Sequence, residues 1–158
     1  MMLSVGTERE ADGDVYARHA SELVRFATVL AGPSGADDLV ASAVLKAFTN
    51  PGWAGVQNRR AYLYRAVLNE ARQEGRANVR RLRREQLAAP PEERDSPAVR
   101  PEVLAAMRRL DPRQRAIVFF TYWQDRAPAE IAQDLGVNVR TVQRELTSAR
   151  QQLLEELR

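Results

Sequence analysis

The stretch PAEIAQDLGVNVRTVQRELTSAR, residues 128–150, decides the fold of this chain. Its spacing is typical of a helix-turn-helix, because the small residue Ala132 is followed four positions later by Gly136 and six positions after that by Val142. A small side chain lets two helices approach closely, glycine supplies the backbone freedom of a tight turn, and an apolar side chain packs between the helices. We expect the small core to be completed by Ile131, Leu135 and Val137.

The second helix of this motif carries two stripes of opposite character. At about 3.6 residues per turn, its apolar stripe consists of Val142, Leu146, Ala149 and Leu153. The polar stripe opposite consists of Arg140, Gln143, Arg144, Thr147 and Gln151. Arginine bonds guanine and glutamine bonds adenine in a bidentate way, so the polar stripe suits the major groove of DNA. The alternative is an ordinary amphipathic helix with a solvated polar face, which the spacing in front of the helix disfavours.

The residue content excludes several kinds of chemistry. The 158 residues contain no cysteine and a single histidine, His19. Disulfides, thiolate metal sites and cysteine nucleophiles are therefore excluded, and one histidine leaves no cluster for zinc or for a hydrolase triad. Neighbouring acidic residues such as Asp37 and Asp38 diverge on a helix, and no partner ligand is evident. We expect no metal, no cofactor, no small-molecule substrate and no enzymatic activity.

No segment of the sequence indicates a membrane or export signal. The N-terminal stretch MMLSVGTEREADGD is polar and acidic and lacks the apolar core of a signal peptide. No later run approaches the roughly 18 apolar residues that a membrane span requires. We expect a soluble, cytoplasmic protein without a membrane partner, and a disordered N-terminus over residues 1–11.

Positive charge is concentrated in one predicted helix. The formal net charge is only +3, yet residues 59–84 hold nine arginines against Glu70 and Glu74. Such a basic helix on an otherwise acidic chain is typical of a surface that binds a polyanion. The alternatives are a solvated arginine-rich helix and a membrane-surface helix. The latter is disfavoured because the segment has no broad aromatic or leucine face.

Helical periodicity dominates the chain, and no run alternates as a half-buried strand would. We therefore predict an all-α fold. The predicted helices are 12–31, 36–49, 59–84, 101–109, 112–124, 128–134 and 139–156. Gly32, Pro33 and Gly35 end the first helix, and Asn50, Pro51 and Gly52 end the second. Asp111 caps the helix that begins with Pro112.

Residues 85–100, EQLAAPPEERDSPAVR, are rich in proline and charge and predict a flexible linker. It separates two small helical domains, 12–84 and 101–158, of which the second contains the helix-turn-helix. In an extended form of ~3.1 Å per residue the linker spans roughly 50 Å. Since one turn of duplex is ~34 Å, the two domains are able to touch DNA sites more than a turn apart.

With these parts in order, the chain resembles the extracytoplasmic function group of bacterial sigma factors, the smallest members of the sigma-70 family. The resemblance covers about residues 14–158. ELVRFATVLAG and GADDLVASAVLKAFTN are similar to the family's first two helices, AYLYRAVLNEARQEGR to its promoter-melting helix, and residues 110–150 to its C-terminal domain. The resemblance implies that 12–84 is sigma region 2, which binds core polymerase and melts the minus-10 element. It also implies that 101–158 is sigma region 4, which reads the minus-35 element.

The resemblance implies that the first domain binds the clamp helices of the β′ subunit of RNA polymerase. The residues so implied are Asp37, Asp38, Leu39, Val40, Ala41, Ser42 and Leu45. The alternative places the apolar members in the core and the aspartates at the positive end of a helix dipole. Ala41 and Ser42 stand where the family usually has glutamine and glutamate. Further implied partners are the β flap of the polymerase, promoter DNA and an anti-sigma factor.

The loop and helix from Trp53 to Arg72 are implied to recognise and hold open the minus-10 element, with a flipped base near Asn69. The implied residues are Trp53, Arg60, Tyr62, Arg65, Asn69 and Arg72. Aromatic stacking and cationic contact with the backbone are how proteins hold single strands. Because residues two apart lie on different helix faces, we expect at most one of Tyr62 and Tyr64 to face DNA. The family usually has tryptophan where Tyr62 stands.

The C-terminal domain is implied to read the minus-35 element through Arg140, Thr141, Gln143, Arg144 and Thr147. The implied phosphate contacts are Arg113, Arg115 and Arg150. Members of the family often have lysine where Gln143 stands and arginine where Glu145 stands. A carboxylate repels phosphate but accepts from cytosine, so Glu145 either tunes sequence choice or faces away.

Two functions remain open at this point. The first is an alternative sigma factor that binds core polymerase and directs promoter-specific initiation. The second is a stand-alone helix-turn-helix regulator. The arginine-rich helix, the aromatic loop and the long linker favour the sigma factor, and no extended apolar seam for a regulator dimer is evident.

Overall fold

The structure is a computed structural model that describes residues 11–84 and 100–158, with only the backbone described for 76–84. Within these ranges the chain is helical and contains no strand, which confirms the all-α prediction. The helices are α1 (Asp12–Ala31), α2 (Ala36–Thr49), a 3-10 helix (Pro51–Gly55), α3 (Arg59–Arg84), α4 (Pro101–Met107), α5 (Pro112–Tyr122), α6 (Pro128–Leu135) and α7 (Val139–Glu156). Apart from Ala11 and Arg100, the predicted disordered N-terminus 1–11 and linker 85–100 lie outside the described residues.

Local signals set most helix boundaries. The Asp111 carboxylate accepts from the Gln114 backbone nitrogen at 2.9 Å, and the Gln114 side chain accepts from the Asp111 nitrogen at 3.2 Å, a reciprocal cap at the start of α5. Helix α1 is followed by Gly32, whose φ of +86° lies in the region that favours glycine. The predicted ends of α4 and α5, at 109 and 124, are each two residues too late. Arg109 accordingly donates to the carbonyl three residues back, and Asp125 has a φ of +51°.

The two helical groups, α1–α3 and α4–α7, lie against each other and share one apolar core. The ring of Phe26 in α1 lies 5.2 Å from that of Phe119 and 5.3 Å from that of Phe120, both in α5. Tyr64 in α3 meets Phe120 at 5.1 Å between ring centroids. All four side chains are essentially fully buried. The two groups are therefore docked on each other in this structure and not held a DNA turn apart.

Arg115 joins the two groups from inside. Its Nε donates to the carbonyl oxygens of Met107 and Leu110 at 2.9 Å each, and its Nη2 donates to that of Arg108 at 3.2 Å. Its Nη1 donates to the carbonyl oxygen of Leu30 at the end of α1. Burial lowers the pKa of the Arg115 guanidinium below its ordinary value.

Candidate nucleic-acid interface

The helix-turn-helix forms as its spacing predicts. Gly136 ends α6 with a φ of +67°, in the left-handed region that glycine adopts without strain. The backbone nitrogen of Val137 donates to the carbonyl of Ala132 at 3.0 Å, which closes the turn. Ile131 and Val142 are fully buried between α6 and α7. The Asn138 side chain accepts from the Arg140 backbone nitrogen at 2.8 Å and caps the start of α7.

The polar stripe of α7 lies on the solvent side. Val142, Leu146 and Ala149 are buried, whereas the opposite face is open. Its exposed members are Arg140, Gln143, Arg144, Thr147 and Gln151, with Thr141 partly exposed beside them. This face has the length and the hydrogen-bonding groups of a recognition helix, and nothing in the described part of the chain covers it.

The arginines implied to contact phosphate lie in three different environments. Arg150 is exposed, and its Nε donates to the hydroxyl of Tyr122 at 2.6 Å. Arg113 is half-buried and donates to Glu145 at 3.0 Å. Glu145 therefore lies beside a cation rather than pointing freely at DNA. Arg115 is committed to backbone carbonyls, so a phosphate contact there requires those bonds to be given up.

The aromatic loop before α3 is packed rather than open. Trp53 is only 5% exposed, and its Nε1 donates to Asp12 at 2.9 Å. Its ring contacts those of Phe48 and Tyr62, at 5.1 and 5.5 Å between centroids. The Asn50 side chain accepts from the Gly52 nitrogen at 2.8 Å and starts the 3-10 helix, which the sequence analysis did not predict. Trp53 is therefore a buried packing residue of this loop, and Tyr62 is the more accessible of the two rings.

Tyr62 and Tyr64 lie on different faces of α3, as predicted. Tyr62 is partly exposed, whereas Tyr64 is fully buried. Burial raises the pKa of Tyr64 to about 12, with a smaller raising effect from Glu22, while a hydrogen bond from Gln124 and the charge of Arg60 act in the opposite direction. Tyr64 is therefore a core residue, and only Tyr62 is available to a single strand.

The remaining minus-10 candidates lie along one side of α3, facing the helix-turn-helix. Arg60 and Arg65 donate to Asp134 and to the end of α6. Asn69 is exposed and Arg72 is partly exposed, one and two turns further along the helix. A cleft of about 160 Å³ separates this side of α3 from the start of α5 and from the turn before α7. It is lined by Arg65, Leu68, Asn69, Arg72, Arg113, Leu135 and Val137.

The residues implied to contact polymerase fall on two faces of α2, one exposed and one buried. Asp37, Asp38 and Ala41 are exposed on α2, and Leu45 is 65% exposed. Leu39 and Val40 are fully buried in the core, as the alternative interpretation had it, and offer no surface to a partner. The exposed face of α2 is therefore acidic at its start and apolar at Leu45.

An ion pair between the exposed Lys46 of α2 and a buried carboxylate of α3 was not expected from the sequence. Glu70 of α3 is 8% exposed and accepts from Lys46 Nζ at 2.8 and 3.0 Å and from Ser42 Oγ at 2.9 Å. Burial alone raises the pKa of Glu70, but the Lys46 and Ser42 hydrogen bonds and the Lys46 charge outweigh it and hold the pKa below its ordinary value. Ser42 therefore serves the contact between α2 and α3.

Asp134 is a second buried carboxylate that the sequence does not reveal. Its side chain is 3% exposed and accepts from Arg126 Nη2 at 2.7 Å and from Arg60 Nη1 at 3.0 Å. No sequence signal marks it, because Arg60 lies 74 residues away.

Metal-binding clusters of three or more side chains are absent from residues 11–84 and 100–158, and no helix within those ranges has the length and apolar content to cross a bilayer.

Known proteins share both the sequence and the fold. The family model described as "Sigma-70, region 4" matches residues 100–153. Proteins named RNA polymerase sigma-E factor from Streptomyces antibioticus and Streptomyces avermitilis are 31% and 30% identical over 131 residues, 79% of this chain and 72% of theirs. That of Streptomyces coelicolor is 27% identical over 97% of this chain and 89% of its own length. The sigma factor RpoE of Bartonella quintana, solved in complex with the anti-sigma factor NepR, superposes with a TM-score of 0.70 at 21% identity, over 92% of this chain and 95% of that one.

A helix-turn-helix with an exposed polar recognition face, preceded by a three-helix group with a basic helix, defines a DNA-binding protein. The chain belongs to the extracytoplasmic function group of the sigma-70 family and is an alternative RNA polymerase sigma factor. Members of this family are DNA-binding transcription initiation factors. The comparisons favour this function over the stand-alone regulator.

Proposed function

We propose that this sigma factor binds core RNA polymerase through the exposed face of α2 and places two separate surfaces on promoter DNA. The observation that carries the proposal is the uncovered polar face of α7, which lies opposite a buried apolar stripe. The proposed division is region 2 over 12–84 and region 4 over 101–158, with 85–100 as the linker. The protein acts in the cytoplasm, without cofactor, metal or covalent chemistry of its own.

For the minus-35 element we propose base contacts by the exposed side chains of α7. The set is Arg140, Thr141, Gln143, Arg144 and Thr147, of which the arginines and the glutamine suit bidentate contacts with purines. Arg150 is the best placed phosphate contact because it is exposed at the end of this face. Arg113 is the second proposed phosphate contact, and its guanidinium is held by Glu145 of α7 at 3.0 Å.

For the minus-10 element we propose α3 as the surface that holds the non-template strand. Tyr62 offers a ring for stacking, and Asn69 offers hydrogen bonds to a flipped base. Arg60, Arg65 and Arg72 supply positive charge along the same helix. Trp53 supports Tyr62 from beneath through their ring contact at 5.5 Å.

For the polymerase we propose contact of α2 with the β′ clamp helices through Asp37, Asp38, Ala41 and Leu45. An exposed leucine beside two carboxylates suits a helix-on-helix contact that is apolar at its centre and charged at its rim. The β flap is the proposed partner of the C-terminal group. Because the structurally similar RpoE is bound to an anti-sigma factor, an anti-sigma protein is the proposed inhibitor here as well.

The experiment that tests this function is run-off transcription with purified core RNA polymerase on fragments of the DNA of the source genome. Discrete transcripts that require the protein are expected, and their start sites give the promoter elements. If no transcript depends on the protein while the protein alone shifts specific fragments, the stand-alone regulator replaces the sigma factor. Arg144→Ala is the matched variant, because it removes a base contact while leaving the polymerase face of α2 intact.

A further inference from the structure

The exposed end of α5 is joined to the recognition helix α7 by a hydrogen bond between side chains. Arg150 Nε donates to the hydroxyl oxygen of Tyr122 at 2.6 Å, and the guanidinium carbon lies 5.7 Å from the centroid of the Tyr122 ring. Both side chains are on the surface, and Tyr122 is 56% exposed. Two elements of the C-terminal group therefore contribute to one polar surface feature.

The direction of this hydrogen bond leaves donors available on both side chains. A tyrosine hydroxyl is both a donor and an acceptor, so Tyr122, which accepts from Arg150, keeps its own O–H for another group. The guanidinium uses Nε here, which leaves the edge formed by Nη1 and Nη2. Within the described residues neither side chain makes an ion pair or a second hydrogen bond. An anion that meets both residues is therefore bound without the loss of an existing bond.

Arg150 lies on the face of α7 that is proposed to meet DNA. Gln143, Thr147 and Arg150 are spaced four and three residues apart, so they share one side of the helix. Arg150 is 10 residues beyond Arg140, which is ~15 Å along the axis at ~1.5 Å per residue. A recognition helix puts its N-terminal residues against the bases, and the major groove is about 12 Å wide. A residue this far along α7 consequently lies at the rim of the groove, where the phosphates are.

We propose that Tyr122 and Arg150 together clamp one phosphate of the minus-35 duplex, with Tyr122 as a contact that the helix-turn-helix itself does not supply. The Tyr122 hydroxyl donates to one phosphate oxygen, and the free edge of the Arg150 guanidinium binds the same phosphate. The hydroxyl and the ring of Tyr122 hold the guanidinium in place before DNA binds, which reduces the conformational entropy lost on binding. The inference rests on the proposed function of α7 and adds to it a residue of α5.

The clamp is tested with Tyr122→Phe, which removes the hydroxyl and keeps the ring beside Arg150. The probe is a short duplex of mixed sequence, because phosphate contacts supply essentially all of the non-specific affinity for DNA. Loss of a hydrogen bond to a charged group is expected to weaken binding by about tenfold. Because tyrosine is neutral, the log–log salt slope is expected to stay at the parental value, whereas Arg150→Met lowers it by about 0.9.

Tyr16→Phe is the matched control for the loss of a hydroxyl. Tyr16 is also exposed, but it belongs to α1, outside the surfaces proposed for DNA and for polymerase. Its duplex affinity is expected to equal that of the parent. A double variant that combines Tyr122→Phe with Arg150→Met is expected to lose less affinity than the product of the two single losses, because both residues bind the same phosphate.

The possible results separate the clamp from the functions on which it depends. Unchanged duplex affinity in Tyr122→Phe, or single losses that multiply in the double variant, overturns the clamp. If Arg150→Met weakens binding while Tyr122→Phe does not, the clamp fails and the DNA face of α7 stands. If Arg144→Ala and Arg150→Met both leave duplex binding unchanged, the proposed DNA face of α7 fails and the clamp fails with it. Failure of the sigma-factor function appears instead as absent run-off transcription, a result on which duplex affinity does not depend.

Discussion

Replacing Arg115 by methionine is expected to destabilise the protein without weakening its contact with DNA phosphate. Arg115 was implied to bind phosphate, but its guanidinium donates to four backbone carbonyls instead. Three of these, the carbonyls of Met107, Arg108 and Leu110, belong to the last residue of α4 and the turn that follows it, and the fourth is that of Leu30 near the end of α1. The side chain therefore closes a gap between the helical groups.

The expected loss of stability follows from the number and kind of these hydrogen bonds. A hydrogen bond from a charged donor contributes about 1.5–3 kcal/mol net. The four bonds share one guanidinium and are not additive, and burial of the charge offsets part of them, so about 2–4 kcal/mol is expected in total. Since small domains have roughly 5–15 kcal/mol of stability, Arg115→Met still folds. Arg115→Lys keeps the charge but cannot span the same carbonyls, so it is expected to lose nearly as much.

Two measurements distinguish the structural role of Arg115 from a phosphate contact. Urea unfolding gives the loss of stability, and the salt dependence of duplex binding counts phosphate contacts, at about 0.9 in log–log slope for each. Arg115→Met is expected to leave the slope unchanged, whereas the exposed Arg150→Met lowers it by about 0.9 with little loss of stability. A slope reduced by Arg115→Met, together with near-parental stability, contradicts the structural role.

Four further changes have defined outcomes. Arg144→Ala is expected to weaken duplex minus-35 binding by about 1–3 kcal/mol with core polymerase binding retained, as measured by mobility shift and by pull-down. Asn69→Ala is expected to change minus-10 preference or promoter opening, and permanganate footprints identical to the parent's on every promoter would contradict that. Lys46→Met is expected to lower the free energy of unfolding by about 1 kcal/mol above about pH 5. Because Lys46 depresses the folded-state pKa of Glu70, this loss shrinks as the pH is lowered through that pKa, which urea unfolding at a series of pH values measures. Tyr64 has a raised pKa of about 12, so stability that is complete below about pH 10 falls as pH rises toward 12, and Tyr64→Phe should flatten this fall.

The parts of the fold that follow from local chemistry were predictable. The turn at Gly136 needs a left-handed residue, and the cap at Asp111 needs only a partner three residues away. The burial of Val142 opposite exposed Arg144 follows from helical period alone. These features depend on neighbours in sequence, and the structure has them where they were predicted.

Features that depend on distant partners were not predictable from one sequence. Leu39 and Leu45 are similar residues on the same helix, yet only the packing of α2 against α3 decides that the first is buried and the second exposed. The pairing of Lys46 with Glu70 and of Arg60 with Asp134 joins residues far apart in the chain. A period identifies which residues share a face, but it does not identify the surface that this face meets.

The arginines show why a count of basic residues overestimates a DNA-binding surface. A guanidinium presents several donors in a fixed plane, and it binds a phosphate or a set of backbone carbonyls equally well. Arg115 uses its donors inside the protein, Arg65 uses them on the end of α6, and Arg150 keeps its charge in solvent. Of these three arginines, Arg150 alone reaches a polyanion without first giving up bonds to backbone carbonyls. The surface available to DNA is consequently set by which arginines the docked helices occupy.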